Sequence, residues 1–227
     1  MIWLASFPRS GNTFFRNVLF DVYGIESSEF HMETNKKVLH DFYSFPVVKT
    51  HVLPHNLPKD LQSMKSVYII RDGRDALVSI AHHRKDIIAP GSNYYKNLTE
   101  AILARGGSFF GGWSTNVEHW TNKADLLIRY EDLIKDPIGQ VERLREIMVL
   151  PVPKLENLPT FQSLKKGTPQ YGSGVKKLKR TEQKVERANN FFFRRGITGS
   201  YKDEMPKIFQ MLFWLKNKQQ MKANNYN

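Results

Sequence analysis

Arg9, Lys49, His51 and Arg71 are the side chains whose settings point to chemistry. Arg9 lies in Ser6-Phe7-Pro8-Arg9-Ser10-Gly11-Asn12-Thr13. An apolar run, residues 1–5, precedes this stretch. Phe14, Phe15, Val18, Leu19, Val22 and Tyr23 follow it at helical spacing and Gly24 offers a stop. Strand, tight loop and helix in that order aim backbone N–H groups and a helix dipole at one anion. Against the nucleotide pattern G-x-x-x-x-G-K-[ST], Gly11 and Thr13 are kept, but the first glycine is Ser6 and the lysine is Asn12. The spacing predicts a phosphate loop for a ligand other than ATP, with Arg9 as its cation. Lys49 and His51 follow a β-branched run, and Arg71 follows Ser66-Val67-Tyr68-Ile69-Ile70. Each sits where a strand would end.

The elements that must position these groups are strands alternating with helices. Strands are predicted at residues 1–5, 46–50, 66–70 and 124–130, the third apolar enough to be buried on both faces. Residues 25–45 read as loop with a short helix, and 86–112 as a long functional loop with one helix near 98–105. Further helices are expected after Asp72-Gly73-Arg74-Asp75, through Trp113, Val117 and Trp120, and after Pro137. The last spans about 203–222, with Ile208, Met211, Leu212 and Leu215 as its buried stripe. The pattern predicts an α/β, P-loop-type three-layer sandwich with a central, mainly parallel sheet flanked by helices. Ligands bind beyond the carboxyl ends of such strands, where the four residues above fall.

The 227 residues suit a single domain, 1–227, with a flexible flap at about 165–192 and a polar tail at about 217–227. No apolar run reaches the roughly 20 residues of a membrane span, and the N-terminus does not read as a signal peptide. With no cysteine there is neither a disulfide framework nor a thiolate metal site, and the cytoplasm is the default location. The net charge of +12 concentrates between Lys165 and Arg195, where ten Lys/Arg face two acids. That charge fits a solvated surface, loose affinity for nucleic acid, or an anionic ligand.

Four stretches in order resemble the sulfotransferases that use 3′-phosphoadenosine 5′-phosphosulfate (PAPS). Residues 6–14 look like that family's 5′-phosphosulfate loop, Lys49-Thr50-His51 resembles its K-T-H, and residues 68–79 resemble its 3′-phosphate strand, turn and helix. Residues 193–199, Phe-Arg-Arg-Gly-Ile-Thr-Gly, resemble its late R-K-G-x-x-G motif, and Tyr130-Glu131-Asp132 matches a turn common there. The resemblance implies sulfuryl transfer from PAPS to a hydroxyl, phenol or amine of a small-molecule acceptor, releasing adenosine 3′,5′-bisphosphate. It assigns the base to His51 and charge stabilisation to Arg9 and Lys49. Donor binding falls to Arg9, Ser10, Gly11, Asn12, Thr13, Phe14, Arg71, Ser79, Tyr130, Thr160, Phe161, Arg194, Arg195 and Gly196. Phe14 and Phe161 would stack on adenine, and Ser79 would restrain the cationic loop side chain until acceptor arrives. No metal is required, because side-chain cations neutralise the donor.

Departures from the family pattern are specific. Arg9 replaces the usual lysine and cannot give up a proton at any relevant pH, which leaves electrostatic stabilisation. Phe14 stands for a tryptophan, and Ser200-Tyr201 for the usual Asp-Trp. The family's C-terminal dimer motif is missing after Gly199, so monomer and weak dimer stay open. His31, His40, His55, His82, His83 and His119 read as surface or structural, and Lys176-Lys177-Leu178-Lys179-Arg180 as a solvated face. Phe109, Phe110, Trp113 and Trp120 read as core, with Phe109 or Trp113 the alternative lining of an acceptor pocket. The competing functions are a basic nucleic-acid-binding protein and a degenerate P-loop kinase; the missing lysine at position 12 argues against the second, and no specific nucleic acid is expected.

Overall fold

Short apolar segments rich in β-branched and aromatic residues pair along their whole length. The computed structural model describes residues 1–30, 42–105, 109–172 and 188–226. Among them, five strands form one parallel sheet: β1 (Ile2–Ser6), β2 (Ser27–Phe30), β3 (Val47–Thr50), β4 (Ser66–Ile70) and β5 (Leu126–Arg129). Their spatial order is β2-β3-β1-β4-β5. β1 is central, with Trp3 opposite Val48 on one side and Ser66 on the other. The period-two alternation sends Trp3, Ala5, Tyr68 and Ile70 into one core and Ile2, Leu4, Val67 and Ile69 into another.

Helices cover both faces, giving three layers. The first core is closed by α2 (Gly73–His83), α3 (Tyr94–Leu103) and α4 (Trp113–Thr121), through residues such as Leu77, Leu98 and Trp120. The second is closed by α1 (Asn12–Tyr23), α5 (Tyr130–Leu133), α6 (Pro137–Glu142) and α7 (Phe161–Lys166). α1 ends at Gly24, at φ 66°, where the Gly24 and Ile25 N–H groups bond back to Phe20 and Leu19. α8 (Tyr201–Glu204) and α9 (Lys207–Ala223) complete the chain. No helix among the described residues is long and apolar enough to cross a membrane.

Four sequence expectations are corrected. β2 lies within the stretch read as loop; its Ser-Ser-Glu-Phe pattern is weakly strand-like and is held by pairing with β3 and by Arg16, whose Nε donates to Ser27 Oγ at 2.7 Å. α3 starts earlier than expected, where Asn93 Oδ1 accepts the Lys96 N–H. The last helix begins only after Pro206, which cannot continue the hydrogen-bond ladder of α8. Its expected buried stripe faces solvent: Ile208 is 62% exposed and Leu215 63%, whereas Phe213, Asn217 and Met221 are buried. Periodicity located the helix but not which of two apolar faces packs. The polar tail is also packed, since Tyr226 is buried and donates to Glu131 Oε2 at 3.0 Å. The expected flap falls largely at 173–187, and those residues, with Lys176 to Arg180, His31 and His40, lie outside the described ones.

Candidate active site

The loops after β1, β3 and β4 open into a cavity of about 420 Å³ at the carboxyl ends of the strands. Arg9, Gly11, Asn12, Thr13, Phe14, Lys49, His51, Arg71, Ser79, Tyr130, Phe161, Arg194, Arg195 and Gly196 all line it. Ser10 lies just behind, 1% exposed. Thr160 does not join them; it is exposed, and its Oγ1 is used to cap α7 by accepting the Ser163 N–H at 3.0 Å. Burial of a polar group without a partner is costly, yet Ser10 Oγ, both polar atoms of the Asn12 side chain and Arg71 Nε are enclosed and find no partner among the described residues. Orphaned donors around a glycine loop are what an anion would satisfy.

The loop is held in an unusual shape. Arg9 has φ 65°, a left-handed conformation costing a non-glycine residue about 1–2 kcal/mol. Its carbonyl accepts from Arg71 Nη1 at 3.0 Å, its Nε donates to Ser79 Oγ at 3.2 Å, and its guanidinium lies 4.3 Å from the Phe192 ring centre. Burial, with Arg71 nearby, lowers its pKa to about 10, so it stays charged at neutral pH. Gly11, at φ 109°, passes under Tyr130; an added Cβ would meet that ring at 2.7 Å.

His51 Nδ1 lies 2.7 Å from the Ser6 carbonyl oxygen. A carbonyl can only accept, so Nδ1 carries the proton and the neutral ring keeps its lone pair on Nε2. Lys49, two residues earlier, is partly buried, and that burial lowers its pKa against the opposing pull of Glu29, 3.4 Å away. Glu29 also takes Arg16, so one carboxylate on the edge strand β2 holds two cations. Sequence reasoning missed it because β2 itself was missed.

The basic clasp has a partner too. Arg194 Nη1 donates to both Glu204 oxygens, at 2.8 and 2.6 Å, and Arg195 reaches the same carboxylate. Burial alone would raise the Glu204 pKa; the arginine bonds outweigh it and hold it below the ordinary carboxylate value. Gly196 has φ 63° and lies against Phe161, whose ring would stand 2.5 Å from an added Cβ. Phe161 in turn stacks on Phe14, with centroids 4.7 Å apart and planes at 17°. The two expected adenine partners therefore lie on each other. Phe109, 2% exposed, serves the core and the cavity wall at once, and Phe110 lines the cavity, while Trp113 is core.

A glycine loop after a central parallel strand, facing a basic clasp and an oriented imidazole, defines a phosphate-binding group-transfer fold. The chain belongs to the sulfotransferase domain family, whose model matches residues 1–224. Cattle sulfotransferase 1A1 is 24% identical over 240 residues, covering 92% of this chain and 79% of that protein. Mouse sulfotransferase 1E1 is 25% identical, covering 96% and 82%. Among solved structures, mouse sulfotransferase SULT7A1 complexed with PAP matches with a TM-score of 0.75 at 19% identity, over 97% of this chain and 83% of that one.

Proposed function

We propose that this protein transfers a sulfuryl group from PAPS to a hydroxyl, phenol or amine of a small-molecule acceptor, with His51 as general base. The observation that carries the reading is the His51 bond to Ser6, which fixes the tautomer a base needs beside Arg9 and Lys49. In the step, the acceptor oxygen or nitrogen forms a bond to sulfur as the bond from sulfur to the bridging phosphate oxygen breaks. The acceptor proton passes to His51 Nε2, and the electron pair leaves with adenosine 3′,5′-bisphosphate. Arg9 and Lys49 stabilise charge on the sulfuryl and bridging oxygens.

The enclosed atoms of Ser10 and Asn12 that find no partner among the described residues support a 5′-phosphosulfate at the first loop. Arg71, Ser79, Arg194, Arg195 and the Gly196 N–H take the 3′-phosphate, and Phe14 and Phe161 the base. The PAP held by the mouse structural neighbour is the product of this donor. The apolar part of the cavity lining, which includes Ile80, Ile88 and Phe109, suits an apolar or aromatic acceptor. A cytoplasmic location goes with this reading.

Calorimetry with adenosine 3′,5′-bisphosphate against AMP and ATP tests the donor; preference for the bisphosphate is expected, and its lack would end the proposal. His51→Ala should keep that binding and lose turnover. Equal loss of binding would take the base role from His51.

A further inference from the structure

α2 ends at His83 and continues as a π turn, Arg84–Ile88, a widened turn that is common at functional sites. The junction brings His83 and Ile88 into the lining of the cavity, which Ile80, Phe109 and Phe110 share. His83 is thus a second imidazole on the wall that carries His51. Its ring meets Phe192 edge to face, centroids 5.7 Å apart at 82°, and Phe192 stacks under the Arg9 guanidinium. The ring therefore stands one side chain away from the cation of the phosphate loop.

His83 Nδ1 is shut off from solvent and pairs with no group among the described residues. Burial, then the charges of Arg9 and Lys49, push the pKa of this imidazole down to about 3, so it is neutral at any working pH and too weak to act as the base. In the neutral ring, an enclosed N–H without an acceptor is costlier than an enclosed lone pair. The proton then sits on Nε2, the polar atom that the ring can offer to the cavity.

We propose that His83 selects the acceptor, donating from Nε2 to a second polar group on the molecule that receives the sulfuryl. The favoured class is a phenol bearing a further hydroxyl or ether oxygen, in an otherwise apolar pocket. Donors placed in such pockets discriminate strongly, because an acceptor lacking the matching oxygen leaves the N–H unpaired. This rests on the sulfotransferase reading above and adds a substrate class to it.

The test compares each dihydroxybenzene isomer with the methylphenol of the same substitution pattern, nearly equal in size, as acceptors at saturating PAPS. The unmodified protein should prefer the dihydroxybenzene of one isomer pair in kcat/KM. His83→Phe should lower that preference by about threefold to tenfold, the scale of one neutral hydrogen bond, while His83→Gln, whose amide nitrogen stands near the Nε2 position, should restore part of it. Affinity for adenosine 3′,5′-bisphosphate should stay unchanged in both variants, which separates selection from general damage. An unchanged ratio in His83→Phe, or equal loss on both members of the pair, would overturn the assignment. Failure of the unmodified protein to turn over any phenol, with bisphosphate binding intact, would overturn the phenol class itself and leave the donor reading standing.

Discussion

Arg9 Nε donates to Ser79 Oγ at 3.2 Å, joining the phosphate loop to the middle of α2. The same guanidinium reaches the Phe192 carbonyl, so the cation is held by two elements that both flank the cavity. Its charge is thereby fixed in place before any sulfuryl group arrives. Ser79→Ala should free Arg9 to approach the bridging oxygen without an acceptor. Acceptor-independent breakdown of PAPS should rise relative to transfer, measured as bisphosphate released with and without acceptor. An unchanged ratio would show that Ser79 does not restrain Arg9.

The Arg194 side chain faces the cavity while its Nη1 is anchored on Glu204. Charged hydrogen bonds are worth about 1.5–3 kcal/mol. Arg194→Ala should therefore cut the preference for adenosine 3′,5′-bisphosphate over AMP by roughly tenfold to a hundredfold, leaving AMP affinity nearly unchanged. Titration calorimetry with both nucleotides reads this directly.

His83 makes folding sensitive to mild acid. Its ordinary pKa of 6.5 is lowered to about 3 in the folded chain by burial and by the Arg9 and Lys49 charges. The unfolded chain therefore binds a proton that the folded chain refuses. The stabilisation is complete above about pH 6.5 and is lost progressively as pH falls toward 3. His83→Phe, which has no such proton to refuse, should flatten the fall in Tm between pH 7 and pH 4.

The orientation of α9 gives a stability contrast. Phe213→Ala removes a fully buried ring and should cost about 3–5 kcal/mol. Leu215→Ala, on the face that periodicity alone would bury, should stay within about 0.5 kcal/mol. Chemical denaturation of the two variants distinguishes the faces; equal losses would mean that both are packed.

The parts legible in the sequence were those where local chemistry and element order agree. Residues 6–13 were legible as a tight loop between strand and helix, because glycine, hydroxyl and flanking apolar periodicity coincide. Lys49, His51 and Arg71 were legible as strand-end groups once their strands were recognised. Glu29 was not, because an edge strand with polar residues has no alternating apolar signal and takes its order from β3. α9 carries apolar residues on two faces, and only tertiary contact with α4 and α2 selects between them. Nothing local distinguishes His83 from His82; one faces the cavity, and the other binds Glu204 at 2.7 Å. Thr160, assigned to the donor through the family resemblance, caps α7 instead of lining the cavity, a use the motif comparison did not show.

The stacking of Phe14 on Phe161 bears on the tempo of the reaction cycle. Where Phe14 and Phe161 take the base, as proposed above, rings in contact at 4.7 Å must separate before a flat base slips between them. Each face of the base then gains an aromatic neighbour, so the opening is repaid once the nucleotide is seated. Capture becomes a two-stage event, with a bimolecular docking of phosphates followed by a first-order parting of the rings. In stopped-flow mixing the observed rate should climb with nucleotide concentration and then level off at the rate of parting. Replacing Phe14 with alanine should remove that plateau and hasten nucleotide departure. Because Gly196 rests on the same Phe161 ring, the late loop will feel every such passage, and product escape and the next capture share one door.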